Sequence, residues 1–164
     1  IITNPASNAK LASGIAPIKT YLEDRITIAI GTDGPSSNNC LDMFREMFLV
    51  AALNNLLEKD ASAVSAKDIL QMSTVNSAHA MGLVDADILA QGKLADIIMI
   101  DLQQPNMQPI HNIVNNLVFS GSKINVKMTM INGKILYENQ KFFVGMEPEE
   151  IYEKCKHIAE RVIC

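Results

Sequence analysis

An α/β fold is the class this sequence predicts, and three observations point to it. Residues 26–30, Ile-Thr-Ile-Ala-Ile, make an almost unbroken apolar run of strand length that stops at Gly31-Thr32-Asp33-Gly34-Pro35. Such a run fits a strand covered on both faces, as in a parallel sheet. Helical patterns follow over residues 41–59 and 65–81, and a strand followed by helices is α/β grammar. Beyond Gly82 the pattern turns to strands, with Asn132-Gly133 between two β-rich segments. Asn-Gly is the preferred two-residue hairpin turn because both central residues take positive φ.

The elements can be justified in order. The chain opens Ile1-Ile2-Thr3-Asn4-Pro5, two β-formers and then turn residues, which reads as the tail of a strand and predicts a fragment or a processed chain. Residues 4–16, rich in Asn, Ser, Gly and Ala, read as a loop. Pro17 suits a first helical position, with Ile18, Tyr21 and Leu22 as a short apolar face. In the helix over 41–59, Met43, Met47, Val50, Leu53, Asn54 and Leu57 mark one side, and Asp42 suits the positive end of the helix dipole. The methionines on that face read as core packing. Ser65-Ala66-Lys67-Asp68 is a capping-box-like start, and Gly82 a natural stop. Strands are expected at 97–100, 116–119, 126–131, 134–137 and 142–144. Pro148-Glu149-Glu150 opens a last helix with Ile151, Cys155, Ile158 and Val162 on one face.

Composition narrows the function. With 164 residues, 48% apolar and 20% charged, the chain is ordinary globular material. A net charge of -4 without a basic patch speaks against nucleic-acid binding. The apolar stretches are far too short to span a bilayer. Cys40, Cys155 and Cys164 are odd in number and scattered, which predicts bland thiols and a reducing, cytoplasmic setting.

Asp33 is the best candidate for chemistry. It follows the C-terminal end of the apolar strand, the edge where parallel α/β folds build their sites. A carboxylate there can bind a metal or take a proton; equally, Thr-Asp-Gly-Pro is good turn chemistry by itself. His79, His111 and His157 form no metal-binding spacing, and no nucleophile elbow or phosphate loop is present.

Two longer segments go beyond these local signals. One is Asn4-Pro5-Ala6-Ser7-Asn8-Ala9-Lys10-Leu11-Ala12-Ser13-Gly14-Ile15-Ala16-Pro17. The other is Gly31-Thr32-Asp33-Gly34, continuing through Ser37-Asn38-Asn39 to Leu41-Asp42-Met43 and Glu46-Met47. Together they resemble the amidohydrolase superfamily, most closely the 5-methylthioadenosine/S-adenosylhomocysteine deaminases and their chlorohydrolase relatives. Gly92-Lys93-Leu94-Ala95-Asp96 and the Asn132-Gly133-Lys134 hairpin match later landmarks of that family.

The resemblance implies the C-terminal fragment of a metal-dependent hydrolase (β/α)8 barrel plus the C-terminal strands of a small β-sandwich. Residues 1–85 would be the last barrel elements, 86–145 the sandwich strands and hairpin, and 146–164 a C-terminal helix. Asp33 would match the family carboxylate that binds the metal, zinc by expectation, and shuttles the proton of the attacking water. Ser7 and Asn8 would line the substrate pocket. Thr3 stands where family members often carry His, and cannot act as an imidazole. The family's His-x-His, its later metal-ligand histidines and its pocket Glu have no counterpart here.

The implied substrate is a small nucleoside, and the implied partners are the N-terminal part of the same enzyme and further copies of the chain. The isolated chain would be inactive and would hold no metal tightly. The strand over 26–30, lacking one barrel neighbour, would present an open edge that favours association. Other amidohydrolase chemistry, on triazines or guanine, and a non-catalytic assembly module are the alternative readings.

Overall fold

The computed structural model describes residues 1–162; Cys164, one of the three thiols, lies outside the described residues. Strand β1 (Ile2–Thr3) pairs in parallel with β2 (Ala29–Ile30), Ile2 opposite Ala29 and Thr3 opposite Ile30. The parallel pair expected from the apolar run is present, but the strand is shorter than residues 26–30. Ile28, Ala29 and Ile30 are buried while Ile26 and Thr27 face solvent, so burial begins only where β1 runs alongside.

Helices surround this pair. Helix α1 (Pro5–Lys10) replaces the expected loop: Asn4 lies at the N-cap, and Pro5, which lacks an N–H to lose, takes the first turn. Helix α2 (Ile18–Glu23) follows Pro17, which caps the helix rather than opening it. Helix α3 (Met43–Glu58) is the long one. Asp42 caps it by accepting from the Phe44 and Arg45 N–H groups at 3.0 and 3.5 Å, and it ends at Lys59 in the left-handed conformation.

The single helix expected over 65–81 is two helices, α4 (Ala66–Ser73) and α5 (Val75–Ala80). Ser65 caps α4 as its spacing predicts, accepting from the Asp68 N–H at 3.1 Å. The break falls at Thr74, φ -120° and ψ -91°, where the Ser73 and Thr74 hydroxyls both donate to the Leu70 carbonyl, at 2.9 and 2.7 Å. Hydroxyls that bond back onto the preceding turn compete with the backbone ladder. Helix α6 (Ile113–Phe119) stands where a strand was expected at 116–119; the Asn112 side chain caps it through the Asn115 N–H at 3.1 Å. The core among these helices holds Ile18, Met47, Val50, Ile69, Met72 and Val118.

As expected, no strand among the described residues pairs with β2 on its other edge, but side chains of α5 reach the carbonyls there. Asn76 Nδ2 donates to the Ile28 carbonyl at 2.8 Å and Ser77 Oγ to the Ile30 carbonyl at 3.1 Å. The Ala29 and Gly31 N–H groups bond to β1, so Ile28 and Ile30 turn their carbonyls to the other edge. Helix α5 therefore covers the two carbonyls of that edge.

These elements form one compact unit, Ile1–Lys93 with Asp101–Asn125. A second unit comprises Leu94–Ile100 and the chain from Val126 onward. It is an antiparallel sheet of β3 (Ile97–Ile100), β4 (Val126–Ile131), β5 (Lys134–Glu138) and β6 (Lys141–Phe142), in that order. The Asn132-Gly133 turn forms as expected, with φ 47° and 76°, and Asp96 Oδ1 accepts the Asn132 N–H at 2.6 Å. The last strand pairs through Lys141 and Phe142, earlier than the expected 142–144. Helix α7 (Pro148–Val162) forms, but its expected apolar face buries nothing: Ile151, Ile158 and Val162 are all exposed. The architecture is mixed α/β, and no helix among the described residues is long and apolar enough to cross a membrane.

Candidate functional site

Because β1 and β2 are parallel, the segments leaving their C-terminal ends emerge side by side. Gly31 shows how close they are. A Cβ there would lie 2.5 Å from Asn4 Oδ1 and 3.3 Å from Ile2 Cγ2. The Gly31 N–H also donates to the Thr3 carbonyl at 2.9 Å, locking the two exits together.

Asp33 sits two residues further on with φ 59°, a region that Asp tolerates through local hydrogen bonding. The Gly34 N–H donates to Oδ1 at 2.8 Å and Ser37 Oγ to Oδ2 at 2.6 Å. These donors, Ser37 first and Gly34 second, hold the exposed carboxyl below the usual aspartate range, and Ser7 adds a smaller pull. Ser7 is buried on α1 beside Asp33, and its Oγ makes no well-formed hydrogen bond. The structure thus brings Asp33 and Ser7 together. Thr3 and Asn8 instead border a water-sized cavity of about 10 Å³, with Ile18, Val50 and Asn54.

The loop carrying Asp33 is tied down from two directions. Lys10 Nζ, at the end of α1, donates to Asn39 Oδ1 at 2.6 Å and to the Ser36 carbonyl at 3.3 Å. From below, Glu46 of α3 is fully buried and accepts on both oxygens: the Ala6 N–H at 2.9 Å on Oε2, Asn38 Nδ2 at 2.6 Å on Oε1. Burial pushes the Glu46 carboxyl above its ordinary range, while the Ala6 N–H and the Asn38 amide pull the other way. Glu46 entered the sequence reading only as part of a motif. The signal that could have singled it out is a carboxylate on the buried stripe of α3, four residues before Val50 and next to Met47.

An exposed, ionised carboxylate beside a buried hydroxyl can bind a cation or exchange a proton. Among the described residues no three His, Cys, Asp or Glu side chains come together to hold a metal ion. The histidines are elsewhere. His79 Nε2 meets Asp87 Oδ2 at 2.9 Å, and Lys93 Nζ meets Asp87 Oδ1 at 2.8 Å, clasping the segment after α5. Lys93 foremost, then His79, draws the Asp87 carboxyl down to about 2. His111 and His157 are exposed. A mostly apolar cleft of about 360 Å³ is lined by Ile30, Thr32, Met43, Ser77 and Met81 among others, but not by Asp33.

Comparison with known proteins places this geometry in a family. The chain is 41% identical over 159 residues to a 5-methylthioadenosine/S-adenosylhomocysteine deaminase of Dictyoglomus thermophilum, covering 97% of this chain and 37% of that protein. It is 38% identical over 160 residues to a 5'-deoxyadenosine deaminase of Methanosarcina acetivorans, covering 98% and 37%. The crystal structure of an adenosine deaminase from Xanthomonas campestris with bound zinc superposes with a TM-score of 0.93 at 31% identity, covering 98% of this chain and 37% of that one. The chain therefore spans a little over a third of the length of these relatives. The profile of the Amidohydrolase family matches residues 1–136, which include both strand exits and the Asp33 loop, and the chain belongs to that family.

Proposed function

We propose that this chain carries the metal-ligating, proton-handling carboxylate of a deaminase. The substrate class we assign is the adenosine-type thioether nucleosides, 5-methylthioadenosine and S-adenosylhomocysteine. The observation that carries the reading is Asp33: a carboxylate held ionised by Ser37 and Gly34 at the C-terminal end of a parallel strand. The 41% identity to a relative of that name supports the substrate class. In this reading residues 1–85 are the last elements of a (β/α)8 barrel, the strands within 86–145 belong to a β-sandwich while 101–125 pack with the barrel elements, and 146–164 form a terminal helix. The rest of the barrel and further copies of the chain are its partners, in the cytoplasm.

Zinc is the metal we assign, in line with the zinc-bound adenosine deaminase that shares this fold. Asp33 suits it as a single ligand, being ionised, exposed and next to the buried Ser7 hydroxyl. A catalytic site takes about three protein ligands, so the others come from outside these residues, and the isolated chain neither holds the metal tightly nor turns over. When bound, such a metal lowers the pKa of water enough to supply a nucleophile near neutral pH. In the assembled site Asp33 Oδ would accept a proton from the attacking water and pass it to the departing amine. The C–N bond breaks, a C–O bond forms, and ammonia leaves. The hydrogen bonds from Ser37 and Gly34 keep Asp33 ionised, the form in which it would ligate the metal. Ser7 completes the pocket wall on the β1 side, whereas Thr3 and Asn8 border the separate small cavity.

The test is ammonia release by the complete gene product supplied with zinc, with 5-methylthioadenosine, S-adenosylhomocysteine, 5'-deoxyadenosine, guanine and a chlorotriazine as substrates. Turnover of the two thioether nucleosides above the rest is the expected result. Turnover confined to guanine or the triazine would overturn the substrate class, and no turnover of any would favour an assembly role.

A further inference from the structure

The buried carboxylate of Glu46 has no task in the chemistry above, yet it sits where the segments leaving both strands meet. We infer that Glu46 is a positioning residue: through Asn38 and Ala6 it sets the Asp33 carboxylate and the Ser7 hydroxyl relative to one another. The inference rests on the reading of Asp33 as the working carboxylate.

Asn38 grips the chain on both sides of Asp33. Its side-chain amide donates to the Thr32 carbonyl at 2.7 Å, and its backbone N–H donates to the Gly34 carbonyl at 2.9 Å. Its own Oδ1 accepts the Cys40 N–H at 3.2 Å. The carbonyls of Thr32 and Gly34, which flank Asp33, are thus held by one residue, and Asp33 is kept at φ 59°, which a free chain would leave. Asn38 in turn is held by Glu46 Oε1 at 2.6 Å. The other oxygen, Oε2, accepts from Ala6 at 2.9 Å, and Ala6 is the neighbour of Ser7 in α1. One side chain on α3 therefore fixes the exit of β1 and the exit of β2 together.

The chemistry of the pair of donors explains why a carboxylate stands here. Both partners present N–H groups, so both oxygens must accept. Glutamine would offer one acceptor and turn an NH₂ toward the remaining donor. Among the described residues no ion pair reaches Glu46, and burying a carboxylate without one is unfavourable. A leucine would fill the stripe between Phe44 and Val50 with no such penalty. What the leucine could not do is hold Asn38 and Ala6.

Displacements near an ångström at a reacting group cost up to about a hundredfold in rate, which sets the size of the expected effect. The experiment compares Glu46→Gln with Ile69→Val, a core trim away from the loop, in the complete gene product. For Glu46→Gln we expect kcat to fall ten- to a hundredfold with KM within twofold. For Ile69→Val both constants should stay within about twofold. The second readout needs no turnover. Backbone hydrogen exchange at Gly34 and Asn38 should speed up at least about tenfold in Glu46→Gln, while Ile69 and Met72 in α4 keep their protection. Should Glu46→Gln fail to fold, Asn38→Ser, which removes the same grip on Thr32, should give the same local pattern. An unchanged kcat with slow exchange in the loop would overturn the inference. So would exchange that speeds up equally in the loop and in α4, since that is a purely structural effect. The two readings separate cleanly. If the loop loosens in Glu46→Gln but Asp33→Asn retains full turnover, the catalytic reading of Asp33 falls, and the positioning role with it. If Asp33→Asn is inactive and Glu46→Gln is normal in both readouts, only the positioning role falls.

Discussion

Gly121→Ala is the substitution whose cost follows most directly from the structure. A Cβ at Gly121 would lie 2.5 Å from the Leu117 carbonyl oxygen and 2.6 and 3.0 Å from Cδ1 and Cε1 of Phe44. Non-bonded carbons prefer roughly 3.5–4.0 Å, so the ring would have to retreat by about an ångström. Phe44 is 7% exposed, in the first turn of α3, with little room to give. The carbonyl belongs to the last turn of α6, which Gly121 itself closes through its bond to Asn116 at 2.8 Å. Overpacking costs typically 1–3 kcal/mol, and with backbone on one side and a core ring on the other the value should approach about 3. For a chain of this size each kcal/mol moves the melting point by about 2–4 °C, giving a loss of roughly 6–12 °C. Gly34→Ala is the comparison: nothing lies within 4 Å of its Cβ, and its φ is ordinary. It should change stability by less than about 1 kcal/mol, and in the favourable direction if anything. Thermal unfolding followed by circular dichroism measures both. If Gly121→Ala melts within about 2 °C of the parent, the approach of α6 to α3 is not as described.

Other consequences are as direct. Ser65→Ala removes the cap of α4 and should lower stability by about 1 kcal/mol in urea denaturation; no loss would mean the cap is not formed. Asn76→Ala with Ser77→Ala bares the Ile28 and Ile30 carbonyls, so the variant should associate more than the parent in light scattering. An unchanged mass would show that α5 does not shield that edge. Glu46 gives a pH signature whose sign follows from its raised pKa. Below its ordinary range the group is protonated in both folded and unfolded chains. As pH rises, the unfolded chain loses the proton first, so this group's contribution to stability declines until the folded pKa is passed and then levels off. Urea midpoints measured from pH 4 to 8 should show this segment in the parent and not in Glu46→Gln; identical curves would contradict the buried setting.

What the sequence made legible was whatever local chemistry alone decides. The Asn132-Gly133 hairpin, the Ser65 cap and the Asp42 start of α3 each depend on residues within a few positions, and each is where it was expected. Errors arose where neighbours distant in sequence decide. Leu117, Val118 and Phe119 have strand-like side chains, but Val118 is buried in a helical packing with α3 and α4, and the Asn112 cap tips the segment to helix. Asn4-Pro5 suits a turn as well as a helix start, and contacts distant in sequence, such as the Ala6 N–H bond to Glu46, support the helix. Thr74 breaks a helix that periodicity had carried through to Gly82. Asp33 was legible because it follows an apolar strand directly. Glu46 and Asn38 act through bonds to Ala6 and Thr32, and spacing does not reveal those partners.

The central claim is that Asp33 performs chemistry and does not merely shape a turn. Asp33→Asn isolates it, because asparagine keeps the shape, one acceptor and the exposed position, so the Gly34 and Ser37 contacts can largely persist. Loss of a general base alone typically costs about 10²–10⁴-fold. In the complete gene product with zinc, the account predicts ammonia release from 5-methylthioadenosine reduced by at least about a hundredfold, with the unfolding midpoint unchanged. Near-parental turnover in that variant would contradict it.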